Sequence, residues 1–255
     1  MKTLSGHDRF VLSLFVLFVL VWSALAIRPW YRSDWLLENM IVFVAVPLLL
    51  MMYRHLPLSK ISYSLIFIFL CLHEVGSHYT YAEVPYDQWF ETLTGTGLNE
   101  RVGWERNHYD RLIHLFYGLL ITYPVREIVL RVSRVRGFWA YLLPLLVVIS
   151  TSTIFELLEW TAVIVFGGDL GIAYLGTQGD VWDAQKDMLL AAVGGLIATL
   201  VIASINYTLD RNFAREWYES LRVKVREPLG EVAFARLMAK RHKLMAKRHK
   251  AKKNK

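Results

Sequence analysis

Apolar residues along this chain occur in six long blocks separated by shorter polar segments. Each block is close to the roughly 20 residues that a helix needs to cross the hydrocarbon core of a bilayer. Hydrophobic residues make up 55% of the 255 positions, and the mean hydropathy of +0.34 is too high for an ordinary soluble domain. The pattern predicts an all-α, polytopic membrane bundle with spans at about Phe10–Ile27, Leu36–Tyr53, Ile61–Tyr79, Leu112–Val129, Phe138–Phe166 and Ala184–Ile205.

The distribution of Lys and Arg orients these spans, because basic loops stay on the cytoplasmic side of the membrane. With the N-terminus inside, four arginines at the end of the fourth span and in the loop after it are cytoplasmic: Arg126, Arg131, Arg134 and Arg136. In contrast, residues 167–183 carry no basic residue. The prediction is that both termini are cytoplasmic. Residues 1–26 could instead be a cleaved signal peptide, because Ala24-Leu25-Ala26 resembles a cleavage site. The second span crosses in the same direction in either case.

Net charge divides the chain into a bundle, residues 1–210, and a basic tail, residues 211–255. The tail has fifteen Lys/Arg against four Asp/Glu, whereas the bundle has fourteen against eighteen. A seven-residue sequence, Leu-Met-Ala-Lys-Arg-His-Lys, occurs at 237–243 and again at 244–250. Such a cytoplasmic arm favours binding to anionic lipid. Nucleic acid is the less favoured partner, because basic patches of this kind are not specific.

Several classes of site are excluded by what the sequence lacks. The single cysteine, Cys71, lies in an apolar run, which rules out an intramolecular disulfide and a zinc-thiolate cage. There is also no Gly-rich phosphate loop, dinucleotide fingerprint or serine nucleophile elbow. The predicted outer loop, 80–110, is rich in aromatic residues and glycine. It is typical of an interfacial loop whose rings lie among the lipid headgroups, and a lid over a substrate is the alternative.

Ionisable residues occur at the predicted outer end of four spans, where a buried charge is costly and usually functional. At the end of the third span, His73, Glu74 and His78 lie within six residues, and Glu74 and His78 share a helix face. At the start of the fourth span, three residues form one helical stripe: Asn107, Asp110 and His114. A carboxylate one turn from a histidine can orient it as a metal ligand, although Asn107 or Asp110 could equally be the helix N-cap.

The fifth and sixth spans contribute only carboxylates to the same end. Glu156 and Glu159 lie late in the fifth span, on the same face as Ser152. Asp180 and Asp183 precede the sixth span, and Asp187 lies one turn inside it. Asp183 is a candidate N-cap, which leaves Asp187 without that explanation.

Histidines and carboxylates at one depth suit a divalent cation such as Zn²⁺, Mn²⁺ or Fe²⁺. The sequence therefore predicts a metal site with ligands from His73, His78, His114, Asp110 and Asp187, flanked by Glu74, Asn107, Asp180 and Asp183. Glu156 or Glu159 would be the general base of a hydrolase or transferase acting on a membrane-proximal substrate. Two alternatives remain open: a proton- or cation-coupled transporter, and a structural or assembly protein with a buried polar network.

These motifs resemble those of the DUF2238 (YjdF-like) family of bacterial integral inner-membrane proteins. The resemblance covers roughly residues 10–205, and it implies a multi-pass protein of the cytoplasmic membrane but no particular reaction. The segments that carry it are His73-Glu74 through Tyr81, Asn107 through Asp110-Arg111 with His114, Glu156 with Glu159-Trp160, and Thr177 through Met188.

Overall fold

The computed structural model describes residues 4–167, 177–224, 226 and 228–253, and these form an all-helical protein. Six helices are long and apolar enough to cross a membrane, as the hydropathy pattern predicted. They are α1 (Gly6–Leu25), α2 (Arg32–Tyr53), α3 (Lys60–Tyr79), α6 (Tyr109–Ser133), α7 (Trp139–Phe166) and α8 (Asp183–Leu209). Their bounds differ from the predicted spans by four residues at most. Part of the loop between the fifth and sixth spans, residues 168–176, lies outside the described ranges.

Short helices connect and follow these spans. The predicted outer loop contains a 3₁₀ turn (Tyr81–Glu83), α4 (Tyr86–Thr94) and α5 (Leu98–Val102), and the tail contains α9 (Phe213–Ser220) and α10 (Leu229–Lys253). The outer loop is folded through side-chain hydrogen bonds. The Tyr86 hydroxyl donates to Asn99 Oδ1 at 2.9 Å, and the backbone N–H of Asn99 donates to Asp87 Oδ1 at 2.8 Å.

Helix α6 lies at the centre of the bundle, because it packs against α3, α7 and α8. Its closest neighbour is α8, and glycines on both helices allow that approach. A Cβ at Gly118 would overlap the carbonyl of Ala191, and a Cβ at Gly194 would overlap the carbonyl of Leu115. Small residues at a helix interface bring backbones together in membrane proteins. The N-terminal halves of α6 and α8 are therefore held side by side.

The peripheral helices α1 and α2 both pack on α3. The indole N–H of Trp22 on α1 donates to the Asn39 side chain on α2 at 2.6 Å, a polar contact between two spans. This arrangement leaves α2 beside α3 and across a cleft from α6 and α7, a feature that becomes important below.

The first helix of the tail is attached to the bundle. The backbone N–H of Phe138 donates to Ser220 Oγ at 2.9 Å, and the Trp139 indole donates to the Ser220 carbonyl at 3.0 Å. Gly137 makes this contact possible, since it has a φ of +57° and a Cβ there would overlap the carbonyl of Glu216. A truncation that preserves the bundle should therefore follow Arg222 rather than remove α9.

Candidate functional site

Buried carboxyl side chains concentrate at one end of the bundle, which we call the acidic end. It is formed by the N-terminal turns of α2, α6 and α8, the C-terminal turns of α3 and the C-terminal half of α7. Burying a carboxylate without a partner is costly, so such a cluster marks a candidate site. The buried acids there are Asp34, Glu38, Glu74, Glu156, Glu159, Asp183 and Asp187.

Three predicted metal ligands come together at the centre of the acidic end. One atom each from Asp110, His114 and Asp187 lies within 4.8 Å of the others. Asp110 and His114 are four residues apart on α6, which places them on one face. Asp187 reaches them from α8 because Gly118, one turn below His114, lets the two helices touch. We call Asp110, His114 and Asp187 the three-ligand group.

Helix α7 adds two side chains to this group. Glu156 Oε1 lies 3.2 Å from His114 Nε2, and Ser152 Oγ lies 3.5 Å from His114 Nδ1. Glu159, one turn beyond Glu156, is close enough to interact electrostatically with Asp110, Glu156 and Asp187. The two carboxylates predicted as candidate bases therefore both face the three-ligand group.

Among the carboxylates of the three-ligand group and of α7, two have an oxygen that accepts no hydrogen bond from the residues that the structure describes. They are Glu156, through Oε1, and Asp187, through Oδ1. Glu156 Oε1 is near the His114 nitrogen, but the two groups are not aligned as donor and acceptor. Buried polar atoms are nearly always paired, so an unpaired carboxylate oxygen points to a missing partner such as a cation or a donor.

Two arginines hold a neighbouring pair of aspartates on the side towards the loops. Arg106 contacts both oxygens of Asp183, at 2.9 Å and 3.1 Å, and Arg111 donates to Asp183 at 2.8 Å. Arg111 also pairs with Asp180, which receives Lys186 Nζ at 2.5 Å. The hydrogen bond from Lys186 is the main reason why the pKa of Asp180 lies below its usual range. Asp180 and Asp183 are thus neutralised, and they fasten the segment before α6 to the start of α8.

Neither predicted N-cap forms. Asp183 is the first residue of α8, and Trp182 precedes it as the N-cap. His108 is the N-cap of α6, whereas Asn107 bridges two backbones: its Nδ2 donates to the Val84 carbonyl at 2.8 Å and its Oδ1 accepts from the Tyr109 N–H at 2.9 Å. Asn107 therefore joins the outer loop to α6 and is not one of the clustered ligands.

The structure does not bring His73 and His78 into the three-ligand group. His73 Nδ1 accepts from the Tyr81 hydroxyl at 2.5 Å, and its Nε2 lies 3.2 Å from the Glu38 carbonyl. His78 Nδ1 lies 2.7 Å from the carbonyl of Leu25, at the end of α1. Gly76 makes the Tyr81 contact possible, because a Cβ there would lie 2.6 Å from the tyrosine ring. Both histidines join helices or turns, so we leave them out of the ligand set.

Helix α2 contributes acids that the sequence interpretation missed. Glu38 lies close enough to Asp110, Asp34 and Glu74 to interact electrostatically with each, and Asp34 accepts from Thr80 at 2.8 Å. Both oxygens of Glu74 lack a hydrogen bond from the described residues. The sequence does contain a signal for these acids: Asp34 and Glu38 lie four residues apart at the start of the second membrane-spanning helix. Averaging hydropathy over that span conceals them.

Comparison with known proteins places the chain among bacterial membrane proteins. A family model described as "Predicted membrane protein (DUF2238)" matches residues 10–207. The Inner membrane protein YjdF of Escherichia coli (strain K12) is 38% identical over 184 residues, which is 71% of this chain and 83% of that protein. No solved structure matches the chain significantly. The range that the family model matches, residues 10–207, includes every residue of the three-ligand group.

Proposed function

Since the chain belongs to the DUF2238 family and is a multi-pass protein of the inner membrane, we propose that its acidic end binds one divalent cation and uses it for hydrolysis or group transfer on a membrane-proximal substrate. Asp110, His114 and Asp187 are the ligands. Glu156 is the base, and Glu159 supports it.

The observation that carries this proposal is the combination of close ligand atoms and unpaired oxygens. One imidazole and two carboxylates lie within 4.8 Å of one another, a spacing that a single ion can bridge. Asp187 Oδ1 and Glu156 Oε1 have no other donor among the described residues. A divalent cation would offset the repulsion among these acids, which a purely structural network leaves uncompensated. Mixed imidazole and carboxylate ligands favour Zn²⁺, Mn²⁺ or Fe²⁺.

The surrounding residues fit the steps of such a reaction. A cation held by Asp110, His114 and Asp187 would supply Lewis-acid chemistry, because it would lower the pKa of a bound water and polarise the substrate oxygen. Glu156, beside His114, accepts the proton as the water oxygen attacks the acyl or phosphoryl centre. The same carboxyl then returns the proton to the leaving group, so the proton balance closes. Ser152 contacts the other ring nitrogen of His114 and can fix its orientation.

A transporter is the less favoured function, because the ion and substrate sites of secondary transporters lie near the middle of the membrane, whereas the acidic end lies at one side of it. Below His114, the face of α6 towards the neighbouring cavity carries Ile121, Val125 and Ile128, which offer no proton-accepting group. The next carboxylate on α6 is Glu127, whose oxygens accept from Ser59 and Ser62. Uptake of protons or cations into proteoliposomes that is abolished in Glu38→Gln would instead favour transport.

The basic tail supports a second, separate contact, with anionic lipid. Helix α10 contains both copies of the repeated sequence, and its described basic side chains, including Lys240 and Arg241, are exposed. Each such charge near an anionic surface contributes about 1 kcal/mol to binding. Truncation after Arg222 should weaken binding to phosphatidylglycerol vesicles and leave the metal content of the bundle unchanged.

The proposal places the site on the non-cytoplasmic side, which follows from the distribution of basic residues. Reporter fusions test this location. A reporter inserted at Gly97 should be outside, and one following Arg136 should be inside. The opposite result would move the site, and its substrate, to the cytoplasmic face.

Metal analysis tests the cation itself. The purified wild-type protein, loaded separately with zinc, manganese and iron and then desalted, should retain about one ion per chain of at least one metal. Asp187→Asn should lose it, whereas Asp210→Asn, the same change at an exposed aspartate after α8, should retain it. Wild-type protein that retains none of the three metals, or Asp187→Asn that retains as much as wild type, would overturn the proposal.

A further inference from the structure

A long apolar cavity leads away from the three-ligand group. Its volume is about 450 Å³, and it lies in the cleft that separates α2 from α6 and α7. At the acidic end it is lined by His73, Tyr81, Asp110 and His114. Towards the opposite end of the bundle the lining becomes aliphatic and ends near Leu58 and Ile128.

The dimensions of the cavity match one extended hydrocarbon chain. Its lining follows α6 from His114 to Ile128, fourteen residues that span about 21 Å at a rise of 1.5 Å each. An extended alkyl chain advances about 1.3 Å per carbon, as follows from C–C bonds of about 1.5 Å, so about 16 carbons fill this length. The volume lies within the range of ligand pockets, about 300–1,000 Å³.

The chemistry of the lining also favours a hydrocarbon chain as the ligand. The hydroxyl groups of Tyr117 and Thr151 lie 2.5 Å apart and bond to each other, and Thr151 Oγ1 also donates to the Val147 carbonyl at 2.8 Å, so neither hydroxyl has a hydrogen left to donate to a ligand. Beyond them the lining has only apolar side chains, such as Leu48, Ile121 and Val125. A peptide backbone or a soluble metabolite would leave its polar groups unpaired there, whereas an alkyl chain has none.

We propose that this cavity binds one acyl chain of a membrane phospholipid and thereby places the ester and phosphate groups of that lipid at the three-ligand group. The cleft between α2 and α6 gives the lipid a lateral route from the bilayer. The interpretation of this lipid as the substrate rests on the proposed function, whereas its binding rests on the cavity alone.

A photoreactive lipid tests the binding. The full chain is reconstituted in nanodiscs of phosphatidylethanolamine and phosphatidylglycerol with a trace of phosphatidylethanolamine that carries a diazirine halfway along one acyl chain. After irradiation, the labelled peptides are identified by mass spectrometry. Labelling of residues within 113–128 of α6 and 151–155 of α7 is expected, because both segments line the cavity.

Two matched variants separate the cavity from the ordinary lipid-facing surface. Ile121→Trp places a large ring in the cavity, whereas Ile154→Trp makes the same change on the lipid-facing side of α7, where Ile154 is 54% exposed and does not line the cavity. Ile121→Trp should reduce the labelling of 113–128 about tenfold, as expected when roughly two methylene groups are displaced from the cavity. Ile154→Trp should leave that labelling unchanged.

The metal content of the same samples distinguishes this inference from the proposed function. Equal labelling in Ile121→Trp and Ile154→Trp, or labelling confined to α1, would overturn the lipid inference even if the metal is present. Labelling that follows the expected pattern in a protein without metal would support lipid binding and overturn the role of the lipid as a substrate of a metal site. Asp187→Asn should lose metal but keep its labelling.

Discussion

Two glutamates on neighbouring helices, Glu127 and Glu156, lie towards opposite ends of the bundle and differ in their partners. Glu127 accepts from the Ser59 N–H at 2.9 Å and from the Ser62 hydroxyl at 2.5 Å, and Arg131 lies 3.3 Å away. Glu156 has the His114 nitrogen at 3.2 Å, and its Oε1 accepts no hydrogen bond from the described residues. Both are acids in long apolar helices, yet only one has its hydrogen bonds satisfied.

This difference separates a structural carboxylate from a candidate site. Glu127 joins the start of α3 to α6, and its contacts account fully for its presence there. The acids around Glu156 include Asp110, Glu159 and Asp187, which repel one another and have few donors. A protein retains such an arrangement where a further ligand compensates it or where function requires it. His114→Ala changes the cluster around Glu156, Glu127→Ala changes the satisfied carboxylate, and Asp180→Asn changes an ion-paired aspartate beside the cluster.

The largest effect is expected from His114→Ala, which removes the only nitrogen ligand of the three-ligand group. Loss of an outer partner of a metal ligand already costs about 10–100-fold in affinity, so loss of a ligand should exceed that range. Competition with a chelating dye measures the affinity. Glu127→Gln is the control, and it should bind metal as wild type does. Similar affinities for His114→Ala and wild type would place the ion elsewhere.

A smaller effect, on stability alone, is expected from Glu127→Ala. The substitution leaves the buried hydroxyl of Ser62 without its acceptor, and such a loss costs about 1–3 kcal/mol. The Tm in detergent should therefore fall, while the metal content stays that of wild type. Glu219→Ala is the control, because Glu219 is exposed and lies 4.0 Å from its partner Arg215. A Tm unchanged by Glu127→Ala would show that this carboxylate does not hold α3 to α6.

The smallest effect is expected from Asp180→Asn, which weakens the ion pairs between the outer loop and α8. The pKa of Asp180 is lowered from its usual value of 3.8, mainly by Lys186, so its contribution to stability is complete above 3.8 and is lost as the pH falls through the lower, folded-state pKa. The Tm difference between wild type and Asp180→Asn should therefore be equal at about pH 7 and about pH 5, and should shrink only under stronger acid. A difference that already shrinks at about pH 5 would implicate a histidine instead, with His108, next to Arg111, as the nearest candidate.

The sequence predicted the spans because hydropathy is a sum over many residues. Each of the six helices begins and ends within four residues of its predicted span, and many of the extra residues are polar ones at helix ends, such as Asp183 and Arg32. Those residues belong to the helix by hydrogen bonding but not by hydropathy. The helical spacing of Asp110 and His114 also predicted that these two side chains share a face.

The membership of the site was harder to predict, because it depends on helix rotation. His73 and His114 both lie near the acidic end of their helices, but depth alone does not tell which way a side chain points around the helix axis. His73 turns towards Glu38 and Tyr81, and His114 turns towards Asp187 and Glu156. The glycine contacts between α6 and α8 set the rotation of α6 about its axis and hence the direction of His114. A single sequence does not show which glycines face each other.

The central claim is that Asp110, His114 and Asp187 share one cation, and anomalous X-ray diffraction from crystals of the metal-loaded protein tests it most directly. Data collected at the absorption edge of the bound metal should give one peak per chain, about 2.0–2.3 Å from a nitrogen of His114 and from an oxygen of each aspartate. A site without a peak, with Glu156 Oε1 still 3.2 Å from His114 Nε2, would contradict the claim. A peak at the tail histidines His242 and His249 alone would contradict it equally.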